Sequence, residues 1–328
     1  MITSLSLTAC GVCLVTAVWG ADSNPSPPAA VTRVSEADAD FAIQGEYSGI
    51  IVWNGCCQNV GLQVVAFGGG EFRALLYPGG LPGNGYCGAT KATLNGTRTA
   101  DGVVLIGEAL QVRLQPGFAG AVTSPQGGHL GYLQPMHRYS LTTGAQPPAN
   151  ARVLFNGSDT GLLKDAKISE EGLLQIGAET KDPVADFRLH AEFKTPYMPT
   201  ARGQARGNSG FYIQRRYEVQ VLDSFGMEPA VNEAASLYKF KAPDLNLSFP
   251  PLSWQTYDID FTAARFDASG NKTSKARITV RHNGVVVQNN VALENKTGGG
   301  RPEGPEPLPI LFQNHGNPVE FRNVWLVD

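Results

Sequence analysis

The stretch Gly207–Gly226 reads G-N-S-G-F-Y-I-Q-R-R-Y-E-V-Q-V-L-D-S-F-G. It sets Glu218, Gln220 and Asp223 in an otherwise apolar run, just after a basic turn at Arg215 and Arg216. Two strands joined by that turn are the simplest reading. Side chains two apart in a strand share a face, so Glu218 and Gln220 point one way with Leu222, into a concave groove. Val219 and Val221 then point into a core. Strict alternation puts Asp223 with the valines unless the strand ends or bulges there. A carboxylate beside an amide can take a proton and hold a polar ligand. The competing expectation pairs Glu218 with Arg215 or Arg216 and makes Asp223 a turn cap ahead of Ser224. His315, before Gly316, is a second group able to move a proton or hold a metal; its plainer reading is a turn histidine. Asn208, which opens the first strand, and Arg216 are candidate ligand binders, as are Tyr238 and the ring of Trp254, which can stack on an apolar ligand face.

These side chains must be positioned by strands. The chain has 328 residues, 42% of them hydrophobic and only 17% charged, with 38 Gly and 22 Pro. That composition predicts an all-β, loop-rich protein with enough apolar side chains for a buried core. A net charge of −3 gives no basic surplus for nucleic acid. Residues 1–20 carry no charged side chain and read as a signal peptide cleaved before Ala21, with Val18 and Gly20 at the −3 and −1 positions. The expectation is an exported protein with no membrane span after signal removal. Cys10 and Cys13 would leave with the signal, and Cys87 would pair with either Cys56 or Cys57 in an oxidising compartment. No His/Cys set has zinc spacing.

Residues 21–35 form a Pro-rich linker, expected to be poorly ordered. Residues 36–145 alternate short apolar runs with Gly-rich turns and predict a small β domain. Its expected strands include Tyr47–Trp53, Leu62–Phe67, Phe72–Tyr77, Val103–Gly107, Leu110–Leu114 and Tyr139–Leu141. The run Tyr77–Gly85 is a long Gly-rich turn that could line a site. Pro147-Pro148 marks a boundary. Residues 150–328 again read as strand after strand, with Asn283-Gly284 between β-branched runs as a type I′ hairpin signal, and predict a two-sheet sandwich.

Residues 150–328 resemble the 3-keto-disaccharide hydrolase domain family. The resemblance rests on short motifs in the family's order: Val153–Gly157, Asp186–Leu189 before Glu192-Phe193, Gly207–Gly210, Arg216–Ser224, and Pro250-Pro251 before Trp254–Ile259. Ala276–Val280, His282–Val285 and Gln313–Pro318 leading to Phe321–Trp325 complete the series. The resemblance implies a concanavalin A-like jelly roll and cleavage of glycosides whose sugar carries a ketone at C3. The preceding β domain resembles one found with it in secreted planctomycete proteins. Four positions depart from the family pattern: Ala234-Ala235 where Cys-Gly is usual, Asn314 in place of an acid, and Gln288 in place of a His. A Glu-x-Gln strand is not a carboxylate pair flanking a glycosidic bond. A 3-keto sugar instead allows elimination across C2–C1 followed by hydration, which needs one base, one acid and a donor or metal at the enolate oxygen; the expected assignment is Glu218 as base and His315 as acid or metal ligand. Asn208, Arg216, Gln220, Asp223, Tyr238 and Trp254 would bind substrate. Related jelly rolls hold calcium, so a divalent ion is conceivable, but no compact Asp/Asn loop names its ligands. The second reading is a non-catalytic carbohydrate-binding or cell-surface module.

Overall fold

The computed structural model describes residues 29–328; the segment expected to be a signal peptide and most of the expected Pro-rich linker lie outside the described residues. Eight antiparallel strands come first: β1 (Gly45–Trp53), β2 (Cys56–Gly68), β3 (Glu71–Pro78), β4 (Ala92–Thr99), β5 (Gly102–Ile106), β6 (Gln111–Leu114), β7 (Gly120–Thr123) and β8 (His129–Met136). Each pairs with the next, and β8 returns to β1, closing an up-and-down barrel. Closure leaves no free sheet edge. The barrel is filled by inward side chains such as Ile51, Leu62, Val64, Leu76, Leu105 and Leu133. Gly49 shows why some barrel positions must be small: any side chain there would strike the backbone oxygen of Tyr132. Three barrel strands escaped the sequence reading, β4, β7 and β8. They alternate polar residues outward and carry glycine, so they lack the apolar density of the others. Tyr139–Leu141, expected as a strand, is a connection in which Tyr139 and Leu141 are exposed and Ser140 is buried.

The second set is β9 (Arg152–Phe155), β10 (Leu163–Lys164), β11 (Leu174–Gln175), β12 (Glu179–Thr180), β13 (Phe187–Lys194), β14 (Ser209–Ile213) and β15 (Tyr217–Val221). It continues with β16 (Gln255–Thr262), β17 (Arg265–Phe266), β18 (Lys272–Ser274), β19 (Ala276–His282), β20 (Val285–Leu293), β21 (Leu311–Phe312) and β22 (Glu320–Val327). A five-stranded sheet, ordered β10-β12-β21-β14-β15, faces a seven-stranded one built on β11-β22-β13-β16-β19-β20 with β9 beside β22. This all-β sandwich is the architecture expected of a jelly roll. Between the sheets lie Phe211, Val219, Val221, Tyr257, Phe312 and Phe321, all buried. The aromatic rings meet edge to face, as Phe211 does with Phe312 at 5.2 Å between centroids. Asn283 and Gly284 take φ of 51° and 83° between paired His282 and Val285, the geometry a type I′ hairpin needs.

Barrel and sandwich are laced together. Val31, at the end of the Pro-rich segment, bridges Tyr197. The connection Ser140–Ala145 lies on the outer face of the seven-stranded sheet instead of running free. Ser140 and Thr142 bond to Thr256, Gly144 N–H donates to Glu192, and Asn323 and Trp325 donate to the Ala145 carbonyl. Cys56 and Cys57 follow the turn at the tip of the β1–β2 hairpin, while Cys87 lies in the loop after β3. Among the described residues all three are free, exposed thiols, so Cys87 pairs with neither Cys56 nor Cys57.

Candidate functional site

The pairing of β14 with β15 sets Tyr212 opposite Glu218 and Gly210 opposite Gln220. Directly opposed residues share a face, and Phe211 and Val219 occupy the core face. Tyr212, Glu218 and Gln220 therefore lie on the outer face of the five-stranded sheet. β21 extends the same rows: Leu311 pairs with Tyr212, and Gln313 N–H donates to the Gly210 carbonyl. On the other side the segment Ala235–Tyr238 runs along β15, with Tyr238 N–H on the Glu218 carbonyl and Gln220 N–H on the Ser236 carbonyl.

Glu218 is 2% exposed. The Tyr212 phenol donates to its Oε2 at 2.7 Å. Burial pushes the Glu218 carboxyl above the ordinary range, and hydrogen bonds from Tyr212 and Gln313 only partly oppose this. Burial also pushes the Tyr212 phenol up, helped by the carboxylate beside it, so the phenol remains a proton donor. The expected ion pair of Glu218 with an arginine is absent. Arg215 grips Glu179, and Arg216 donates to the carbonyls of Pro302 and Glu306 and to Gln214. An uncompensated buried carboxyl is costly to keep.

The face was expected to open into a groove, yet it is roofed. Thr297 Oγ1 accepts from Glu218 N–H at 2.7 Å and Thr297 N–H donates to Arg216. This anchors Gly298-Gly299-Gly300 directly above the carboxyl. A side chain on Gly298 would come within 2.5 Å of Glu218 Oε2 and 2.8 Å of Tyr238 Cδ1. Only glycine permits that approach.

Of the residues expected in the site, the structure brings together Glu218, Gln220, Asn208 and Tyr238. Asn208 accepts from Gln220 Nε2 at 3.1 Å, and the half-buried Tyr238 ring lies beside Gly298. Four others go elsewhere. Asp223 lies beyond the end of β15, is fully buried and accepts from Arg206 Nε at 2.7 Å; it is not placed to bind substrate. Arg216 is buried and holds the 302–306 loop. Trp254 lies over the seven-stranded sheet, with the Arg322 guanidinium 4.0 Å from its ring centre. His315 is exposed in the turn where Asn314 caps Gly316 N–H, and it makes no hydrogen bond with Glu218. Asp258 and Asp260 alternate with the core residues Ile259 and Phe261 and are engaged by His190 and by Arg188 and Arg281. Tyr212, Gln313 and the Thr297–Gly300 roof were missed; the three consecutive glycines were the available signal. Among the described residues no cluster of three His, Cys, Asp or Glu side chains is arranged to hold a metal, so the carboxyl-poor donor set around Glu218 names no ion.

The fold and this face define a β-sandwich with one buried, protonatable carboxyl on its outer side. The profile of the 3-keto-alpha-glucoside-1,2-lyase-like domain family matches residues 150–327, and the chain belongs to that family. A crystal structure from Parabacteroides distasonis ATCC 8503, provisionally named a glycosyl hydrolase, is 34% identical over 55% of this chain and 84% of that chain, with a TM-score of 0.51. A second protein from that organism, named in the same way, is 17% identical over 55% of this chain and 94% of its own, with a TM-score of 0.38. No curated protein matches the chain.

Proposed function

We propose that the Glu218 face cleaves glycosides whose sugar is oxidised to a ketone at C3. Family membership supports this reading, and the chemistry asks for what the site supplies. The ketone acidifies the C2 hydrogen. Glu218 removes that proton, and the C2–H electrons form a C2=C3 bond with the negative charge on the ketone oxygen. The charge then collapses to restore the ketone as C1=C2 forms and the C1–O bond breaks, and the leaving oxygen takes up a proton. Addition of water across C1=C2, with hydroxyl at C1 and hydrogen at C2, completes hydrolysis. A carboxyl whose affinity for protons is raised by burial is a stronger base than a solvated one. Tyr212 holds it in place and is the nearest hydroxyl able to return a proton.

The observation that carries the reading is the buried Glu218 carboxyl, hydrogen-bonded by Tyr212 with no arginine or lysine bonded to it. Incubation with a methyl 3-keto-glucoside and with 3-keto-trehalose, monitored by mass spectrometry, tests it. Release of methanol or glucose by the wild type, abolished in Glu218→Gln, is expected. Sugar binding without product would assign the face to a carbohydrate-binding module instead.

A further inference from the structure

One row of the outer face runs Gln313, Gly210, Gln220, Ser236, crossing from β21 through β14 and β15 to the segment beside it. Its three polar members each bury one polar atom without a hydrogen-bond partner among the described residues: Gln313 Oε1, Gln220 Oε1 and Ser236 Oγ. Ser236 pairs with Gln220 through its carbonyl and precedes Leu237, which bridges the core residue Val219, so its hydroxyl falls on the Gln220 side. Unpaired buried polar atoms are uncommon, and each costs about 1–3 kcal/mol.

The polarity of Gln220 is fixed from outside. Gln204 Nε2 donates to the Asn232 carbonyl at 2.8 Å, and Asn208 Nδ2 donates to the Gln204 carbonyl at 2.7 Å. A backbone carbonyl only accepts, so both amides must present oxygen at their other end. Those two oxygens take both hydrogens of Gln220 Nε2, each at 3.1 Å. Gln220 Oε1 is thereby left as a pure acceptor with nothing to accept from. Gln313 turns its amide toward Glu218, and its Oε1 has no partner among the described residues. Gly210 keeps the middle of the row empty: a side chain there would stand 3.0 Å from Glu218 Oε1 and 3.3 Å from Gln313 Oε1.

We propose that this row is a hydroxyl-recognition subsite, in which Gln220 Oε1, Gln313 Oε1 and Ser236 Oγ take hydroxyl groups of the pyranose ring that carry no oxidation. An acceptor-only amide suits a hydroxyl donor and rejects a ketone, which has no hydrogen to give. The subsite thus selects a sugar oxidised at one position with its other hydroxyls intact, and sets the ring beside Glu218. The inference rests on the lyase reading for the identity of the sugar, but not for the presence of the acceptors.

The test measures binding by calorimetry in the Glu218→Gln protein, which cannot perform the proposed elimination. The probes are methyl 3-keto-glucopyranoside and its 4-deoxyfluoro and 6-deoxyfluoro analogues. One analogue should bind about tenfold to a hundredfold more weakly than the parent, the loss from leaving a buried acceptor unpaired. Ser236→Ala, which removes a hydroxyl without any protein partner, should weaken the parent sugar while leaving the melting temperature unchanged. Gln220→Met should likewise weaken binding of the hydroxyl it holds, here with a lower melting temperature because Gln204 Oε1 and Asn208 Oδ1 lose their donor. Neither change should add to the loss from deleting that hydroxyl. Equal affinity for all three sugars, or losses that simply add, would overturn the subsite even if the wild type turns over the parent. Discrimination among the analogues without turnover by the wild type would keep the subsite and remove the lyase reading. Binding of none of the sugars overturns both.

Discussion

Tyr212 and Glu218 face each other across the β14–β15 pair, and the phenol donates to the carboxyl at 2.7 Å. This bond lowers a carboxyl that burial otherwise raises. Tyr212→Phe removes the donor, so the Glu218 carboxyl rises further. Its basic form is then lost at a higher pH, and the acid limb of kcat/KM on a 3-keto-glycoside moves upward. Activity near neutrality should fall about ten- to a hundredfold, the range for a hydrogen bond to a charged group. A pH profile that keeps its acid limb would separate the phenol from the carboxyl.

Glu218 should also weaken the fold at neutral pH. Its folded-state proton affinity exceeds that of the unfolded chain, whose glutamates titrate near 4.3. Its contribution to stability is therefore fully present below that value and is lost as pH rises through the folded one. Glu218→Gln keeps an acceptor for Tyr212 and removes the buried charge. Thermal unfolding should show a higher Tm for the variant at pH 8, with the advantage shrinking toward pH 4. A variant that melts lower than wild type at both pH values would mean the carboxylate is better solvated than its burial implies.

The alternation of Tyr217–Val221 was legible because period two is a property of the strand itself, and it put Glu218 and Gln220 on one face correctly. The end of the strand was not. Whether Asp223 turns inward depends on Arg206, seventeen residues away in sequence and within bonding distance only once β14 and β15 pair. The mistaken groove has a similar origin. No local pattern says that Thr297–Gly300 will lie over Glu218, since that loop is brought there by the Thr297 bonds to Arg216 and Glu218. Trp254 fell on the other sheet because an aromatic flanked by polar residues reads the same on any outer face. The barrel was visible as a β region, but its closure depends on the long-range pairing of β1 with β8.

His190 lies behind the two carboxylates that hold the barrel connection, Asp258 bonded by Thr142 and Glu192 bonded by Gly144. Its Nδ1 lies 2.7 Å from Asp258, its Nε2 faces Glu192 at 3.8 Å, and its ring stacks on Trp325. Burial alone would lower its proton affinity, but the bonds to Asp258 and Glu192 outweigh burial and raise it. Its stabilising contribution is thus full below about 6.5 and is lost as pH climbs through the raised value. Glu192 behaves oppositely. Bonds from His190, Asn323, Gly144 and Arg322 overcome burial and pull it to about 2, so its contribution holds above about 4.3 and fades as pH falls toward 2. The wild type should lose Tm from pH 6.5 to pH 9, and His190→Phe should flatten that slope and speed proteolytic cutting within Ser140–Ala145. An unchanged slope would show that the imidazole carries no net proton uptake on folding.

Gly298 combines a left-handed backbone, φ 51°, with the closest approach to the Glu218 carboxyl. Gly298→Ala adds about 1–2 kcal/mol of backbone strain and drives a methyl group into Oε2 and the Tyr238 ring. Tm should fall by roughly 2–8 °C. Turnover should fall more steeply than that loss of folded protein explains, because the roof or the carboxyl must move. Gly144→Ala, at a left-handed position (φ 74°) with open space around it, imposes the backbone strain without the clash. Equal losses of turnover in the two variants would show that the roof does not govern the site.

Asp223 separates a structural role from a binding one. Its carboxylate and the Arg206 guanidinium are both almost completely buried, and Arg206 Nη1 and Nη2 have no other partner. Burial raises the Asp223 carboxyl against the pull of Arg206. Deleting one partner leaves a buried charge uncompensated, so Asp223→Ala should lose about 3–5 kcal/mol in urea unfolding. Asp223→Asn, which keeps an acceptor for Arg206 Nε, should lose less. A residue that bound sugar would instead leave the urea midpoint in place and raise KM. That outcome would require Asp223 to leave Arg206 and swing past the end of β15 toward Gln220, a movement its burial opposes.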